Sequence, residues 1–175
     1  SAKIENSTKI KGLMTGADVF IEKPFSITYL KAQISSLLRN RNNILEIFNK
    51  NPLASYSTLA TNKSDDSFLK NLNDEIEKNL ADDQFNVESL VHILGFSRSN
   101  FQRKLKAVSG YSPGDYVRTY RLKKACNLLL EGDYRINEVC YMVGFSSPSY
   151  FTKAFIKAYN MTPKEFISNF KTQDA

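Results

Sequence analysis

Apolar and polar positions change their rhythm twice along this chain. Over residues 1–48 the pattern is mixed. Lys9 to Thr15 has helical spacing, and Asp18 to Ile21 is a short apolar run of strand type. Ser26 is placed to cap a helix that runs through Leu30, Ile34, Leu37 and Leu38, and the same spacing continues at Ile44, Leu45, Ile47 and Phe48. Residues 49–67 are rich in Asn, Ser and Thr without periodicity, which predicts a linker. Beyond it every segment has helical spacing, and helices are predicted near 67–80, 87–94, 97–109, 112–131, 135–143, 147–159 and 162–170. Ser97 precedes one of them, while Ser112-Pro113 and Thr162-Pro163 each supply an N-cap with proline at the first helical position. Gly110 and Gly132 follow helix ends.

Within that helical region the pattern repeats itself. Leu90, Gly95, Phe96 and Ser97 match Val139, Gly144, Phe145 and Ser146. After one extra residue in the second copy, Phe101, Arg103, Leu105, Ser112, Pro113 and Tyr116 match Phe151, Lys153, Phe155, Thr162, Pro163 and Phe166. Each copy reads as a helix, a tight turn at glycine and a second helix, with Phe96 or Phe145 filling the angle between them. Phe101 with Leu105, and Phe151 with Phe155, form the inward i, i+4 stripe of the second helix. The outward side then holds Arg98, Ser99, Gln102, Arg103 and Lys106 in the first copy, and Ser149, Thr152, Lys153 and Lys157 in the second. Arg and Gln read guanine and adenine edges in a major groove, whereas Ser, Thr and Lys suit phosphates or simpler base contacts. The joining helix, near 112–131, spans roughly 30 Å at 1.5 Å per residue, against about 34 Å between successive major-groove faces.

Charge adds to this picture. The chain of 175 residues carries a formal net charge of +6. Between Arg98 and Lys124 eight basic residues, Arg98, Arg103, Lys104, Lys106, Arg118, Arg121, Lys123 and Lys124, face the single acid Asp115, a footprint for a polyanion or, on the plainer reading, a solvated helix face. The two cysteines, Cys126 and Cys140, sit in apolar helical patterns without CxxC spacing and read as reduced core thiols. One histidine, His92, builds no metal site and has no nucleophile pattern around it, so no metal, cofactor or catalytic residue is expected and the chain is read as a non-enzyme. No apolar run reaches the roughly 20 residues that cross a bilayer, so no membrane contact of this chain is expected.

The segment Glu138 to Phe155, followed by Met161-Thr-Pro-Lys-Glu-Phe166, resembles the signature of the AraC-type DNA-binding domain. That family carries two helix-turn-helix motifs on one connecting helix. The resemblance spans about 68–171, with motifs near 87–109 and 135–159, and implies base-facing Ser99, Gln102, Arg103, Ser149, Thr152 and Lys153. Val91 and Cys140 stand where the family generally has alanine, and Asn160 where glycine is usual. Upstream, Gly16 to Phe25 is similar to the last strand and following loop of response-regulator receiver domains. There Phe20, Lys23 and Pro24 match switch positions, and the Lys-Pro peptide is expected to be cis. The phospho-accepting aspartate of such domains lies upstream of the matched stretch.

The expected fold is therefore mainly α, an all-helical double helix-turn-helix domain with an N-terminal α/β receiver fragment over 1–48. The expected function is a sequence-specific DNA-binding transcription regulator, the output module of a two-component phosphorelay. A dimerisation or signalling fragment without specific DNA reading is the alternative. Double-stranded DNA is the expected partner. RNA polymerase and a homodimer through the receiver end stay open, as does a parent protein anchored in the inner membrane above a cytoplasmic location for this chain.

Overall fold

A computed structural model describes Val19 and residues 21–171. The expected helix over 9–15, Phe20 and the expected strand over 18–21, apart from Val19 and Ile21, lie outside the described residues. The described residues contain helices and no strand, so the α/β character expected of residues 1–48 does not show in them.

Among the described residues eight α-helices follow one another: α1 Ile27–Lys50, α2 Lys63–Lys78, α3 Val87–Ile93, α4 Arg98–Ser109, α5 Pro113–Glu131, α6 Ile136–Met142, α7 Pro148–Tyr159 and α8 Pro163–Lys171. Their starts are chemical. Ser26, Asn62, Asn86, Ser97, Ser112 and Ser147 each present a side-chain oxygen to a backbone N–H of the first turn. Gly110 and Gly132 end α4 and α5 in the left-handed conformation, and Asn160 does the same for α7 at φ 56°.

Two hydrophobic cores result. The first gathers Phe68, Leu69, Leu72 and Ile76 of α2, Leu90 and Val91 of α3, Phe101, Leu105 and Val108 of α4, and Tyr116 and Tyr120 of α5. The second gathers Leu122, Ala125, Cys126 and Leu129 of α5 with Val139, Cys140, Phe145, Phe151, Phe155 and Phe166. Helix α5 buries its first half in one core and its second half in the other, and Leu80 packs against both. Burying a large apolar side chain contributes about 1.5–3 kcal/mol, so each half of α5 is fixed by its own core. Both cysteines are buried and free.

Residues 49–67 depart from the predicted linker. Pro52 and Leu59 are buried, a 3-10 turn spans Tyr56–Leu59, and α2 begins at Lys63. The Asn and Ser residues that suggested a loop act as caps: Asn62 Oδ1 accepts from Asp65 N at 2.9 Å, and Ser55 Oγ accepts from Ser57 N at 3.3 Å. Phe48, at the end of α1, is fully buried in the first core with its ring 4.9 Å from that of Tyr56.

Candidate nucleic-acid interface

The two helix-turn-helix motifs share one turn. At the end of α3 the Phe96 N–H donates to the Val91 carbonyl and the Gly95 N–H to that of His92, at 3.1 and 3.2 Å. At the end of α6 the Phe145 N–H donates to the Cys140 carbonyl and the Gly144 N–H to that of Tyr141, both at 3.0 Å. Both are Schellman closures, which require φ > 0 at the residue after the helix. Gly95 and Gly144 supply it at 69° and 76°. The extra residue of the second copy lies between turn and helix: Ser97 caps α4 two residues after Gly95, and Ser147 caps α7 three residues after Gly144. Ser147, not Ser146, is thus the counterpart of Ser97 in capping.

Burial of Phe101, Leu105 and Val108 fixes how α4 is turned. Arg98, Ser99, Gln102, Arg103 and Lys106 are all exposed on its outer side, and all but Arg98 line a shallow surface hollow of about 510 Å³. All three of these cations are held by neighbours. Arg98 Nη1 pairs with Glu88 Oε1 of α3 at 2.8 Å, and Arg103 Nη2 donates to Asn100 Oδ1 at 2.5 Å. Lys106 Nζ donates to the Gly110 carbonyl at 2.5 Å, across the end of its own helix. An exposed ion pair adds little stability. What these contacts supply is direction for side chains with many rotamers.

Burial of Phe151, Ala154 and Phe155 sets α7 in the same way. Ser149, Lys153 and Lys157 are exposed and Thr152 is half-buried. Lys153 and Lys157 border a groove of about 600 Å³ between α5 and α7, together with Arg118, Thr119, Tyr111 and Asp115. The carboxyl of Asp115 is held below its usual range, first by the hydroxyl of Ser112, which donates to it at 2.6 Å, and also by Arg118 at 2.8 Å. Tyr150 and Ile156 are exposed on α7 as well, at 49% and 40%. Sequence reasoning passed over both because it looked for polar readers; pairing them with Asn100 and Lys106 through the repeat marks their positions.

The basic cluster between Arg98 and Lys124 does not form one surface. Lys123 is 5% exposed, its Nζ 4.1 Å from the centroid of the Phe48 ring and donating to the carbonyls of Phe48 at 3.0 Å and Asn51 at 2.5 Å. It serves the C-terminal end of α1, where the last carbonyls have no helical partner, and burial pushes its ammonium down to about 8. Arg121 donates to the carbonyls of Gly144 and Asp82, both at 2.7 Å, and Lys124 pairs with Glu77 at 2.7 Å. A helix buried on two sides in succession turns part of its charge inward. Single-residue counting does not see that.

At the other end, Lys23 and Pro24 are exposed and joined by a cis peptide, the isomer that the receiver resemblance implies. Among the described residues no cluster of His, Cys, Asp or Glu could hold a metal ion, and no helix is long and apolar enough to cross a membrane.

A helix-turn-helix domain family matches residues 90–169. Over 165 residues, 94% of this chain, the sequence is 33% identical to histidine kinase P4 of Formosa agariphila, of whose length the match covers 12%. It is 35% identical over 101 residues to the probable transcription factor PqrA of Proteus vulgaris, covering 58% of this chain and 80% of that protein. Among solved structures, the C-terminal domain of the two-component response regulator yesN from Fusobacterium nucleatum aligns with a TM-score of 0.52 and 30% identity over 58% of this chain and 98% of its own. The DNA-binding domain of AdpA, solved with a target DNA, aligns with a TM-score of 0.54 and 27% identity over 60% and 94%.

Proposed function

This chain belongs to the AraC-type helix-turn-helix regulators, and on that footing we propose that the outer faces of α4 and α7 are the two heads of one DNA reader, which serves as the output module of a two-component phosphorelay. The chain is a sequence-specific DNA-binding transcription regulator. One observation carries the assignment of the heads. Phe101, Leu105 and Val108 on α4, and Phe151, Ala154 and Phe155 on α7, are buried, so Gln102 and Arg103, and with them Ser149 and Lys153, are turned to solvent.

The spacing supports two adjacent grooves. Helix α5 has 19 residues, about 28 Å at 1.5 Å per residue, which falls short of the ~34 Å groove repeat. Bending the duplex toward the protein closes that gap. Arg103 and Gln102 are assigned to purine edges, with Arg98, Lys106 and Lys157 to phosphates; Ser149, Thr152 and Lys153 complete the second head.

The phosphorelay assignment rests on the histidine kinase relative, whose similarity extends over 94% of this chain and so beyond the helix-turn-helix region. The response-regulator neighbour and the receiver-like stretch from Gly16 to Phe25, with Lys23 and Pro24, add to it. A cytoplasmic site of action, RNA polymerase as a further partner and a membrane-anchored parent belong to the same reading. A homodimer through the receiver end has one observation of its own: α1 leaves Ile27 and Leu38 exposed at 69% and 61%. Sedimentation at rising concentration should then show monomer and dimer in exchange, and a monomer at every concentration overturns that part.

The DNA assignment is tested by selection from a random duplex library, followed by affinity measurement on the enriched sequence. A preferred sequence should emerge, and Gln102→Ala with Arg103→Ala should bind it no better than mixed DNA. Wild-type protein that enriches nothing, or a double variant that retains the preference, overturns the assignment.

A further inference from the structure

The two heads share a frame and are finished with different chemistry. With Phe101 set against Phe151, Asn100 corresponds to Tyr150, Gln102 to Thr152, Arg103 to Lys153 and Lys106 to Ile156. Three of these four exchanges replace an amide or an ammonium by a group with apolar surface. Ser149, Thr152, Lys153 and Ile156 stand at i, i+3, i+4 and i+7, one stripe of a helix, and Ile156 lies near its midline, 40% exposed. Burial of Phe151, Ala154 and Phe155 on the opposite side keeps Ile156 out of the core. A scattered exposed apolar side chain is ordinary on a protein surface. This one occupies the middle of a stripe whose other members are polar, and its counterpart in the first head is a lysine that reaches back to the Gly110 carbonyl.

In the major groove only thymine presents a methyl group, and apolar contact is the means of recognising it. Resting on the DNA-reading assignment above, we propose that Ile156, with the methyl of Thr152 beside it, makes the second helix-turn-helix motif a reader of thymine methyl groups. The first motif reads purine edges through Gln102 and Arg103. The site is then chemically lopsided: hydrogen-bond donors and acceptors are matched in one half, and methyl groups are covered in the other. Tyr150, its ring 5.7 Å from that of Phe145, borders the stripe and adds a second apolar surface at its N-terminal end.

Uracil isolates the effect, since it pairs as thymine does and keeps the same hydrogen-bonding edge without the methyl. The sequence enriched from a random library by the whole chain is resynthesised with uracil for thymine, first in the half whose protection is lost in Lys153→Ala, then in the other half. Wild-type affinity should fall about fourfold for each contacted thymine replaced in the α7 half, the value of one buried methyl group. Ile156→Ala should bind the thymine site more weakly and lose its response to uracil there. Because Ile156 is partly exposed on a helix and alanine is a good helix former, an unchanged circular dichroism melt should accompany that loss. A wild type indifferent to uracil in the α7 half, an α7 half without thymine, or an Ile156→Ala variant as sensitive as the wild type overturns the proposal while leaving DNA reading intact. Absence of any enriched sequence overturns both.

Discussion

Arg121 Nη1 donates to the carbonyl of Gly144 at 2.7 Å, which ties the middle of α5 to the turn of the second helix-turn-helix motif. Its other terminal nitrogen, Nη2, donates to the carbonyl of Asp82 in the segment between α2 and α3. One guanidinium therefore holds together the two halves that Leu80 also bridges. The turn pays for this closeness in space: a Cβ at position 144 would lie 2.3 Å from the Leu80 carbonyl oxygen and 2.8 Å from Arg121 Cζ. At Gly95, the equivalent turn, nothing lies within 4 Å.

The matched glycines should therefore respond differently to the same change. Gly95→Ala meets only the left-handed backbone, about 1–2 kcal/mol. Gly144→Ala adds a collision with a backbone oxygen and should cost upward of about 3 kcal/mol. Urea denaturation of the two variants checks this, and equal losses would refute the assigned asymmetry.

Lys123 sets a pH dependence. Its ordinary value is 10.5, and burial lowers it to about 8 in the fold. Below about pH 8 the amine is protonated in both states, and the fold bears the full cost of the buried charge. Between about 8 and 10.5 the unfolded chain binds the proton that the folded chain has released, so this residue's contribution to stability rises with pH. The buried Cys126 thiol and Tyr116 hydroxyl are shifted upward by desolvation and act in the opposite direction over the alkaline range. Comparison with Lys123→Met removes those shared effects. Relative to that variant, the wild type should gain up to about 3 kcal/mol across the window, read from melts at pH 7 to 10.5; a constant difference would contradict the buried-ammonium assignment.

Binding should weaken steeply with salt. The three exposed cations assigned to phosphates, Arg98, Lys106 and Lys157, imply a slope of about −3 in log K against log salt. Lys157→Ala should make the slope shallower by about 1 and leave sequence preference alone, whereas Arg103→Ala should relax preference at one position by about 1–3 kcal/mol. Titrations on selected and mixed duplexes separate the two.

Asn160 holds the left-handed position that ends α7, at φ 56°. Asparagine tolerates this region better than alanine does and glycine better still. Asn160→Ala should cost about 1 kcal/mol and Asn160→Gly nothing, measured by thermal melts; destabilisation by glycine would mean that the asparagine side chain contributes something else.

Much of this architecture was legible in local signals. Caps at Ser97 and Ser112, the glycine stops at Gly110 and Gly132, and the Phe101/Leu105 and Phe151/Phe155 stripes act within a turn or two of helix, so the chain states them directly. What the pattern did not reveal depends on distance in sequence. Lys123 looks like a surface cation until Phe48 and Asn51, more than seventy residues away, close around it. The stretch 49–67 looks like a linker because its apolar residues are sparse, yet Leu59 finds burial in the first core among elements that come later, and Pro52 is buried as well. Ile156 was missed for a different reason: on an outward face polar side chains announce a contact with DNA, whereas an exposed apolar one is ordinary until it is set against its counterpart Lys106.

The rear half of α1 is fastened to the first reading helix at several points. Arg41 donates to the carbonyls of Leu59 at 2.6 Å and Ala107 at 3.3 Å, Leu45 rests against Gly110, and the Tyr111 hydroxyl bonds to Asn49. Its forward half stands clear of both cores. Lys123 ties the same stretch of α1 to α5, so a shift of α1 is passed both to the tail of α4 and to the helix that joins the two motifs. The molecule thus carries a lever seated where its two heads meet, and a displacement of that lever is felt on both sides of the joint.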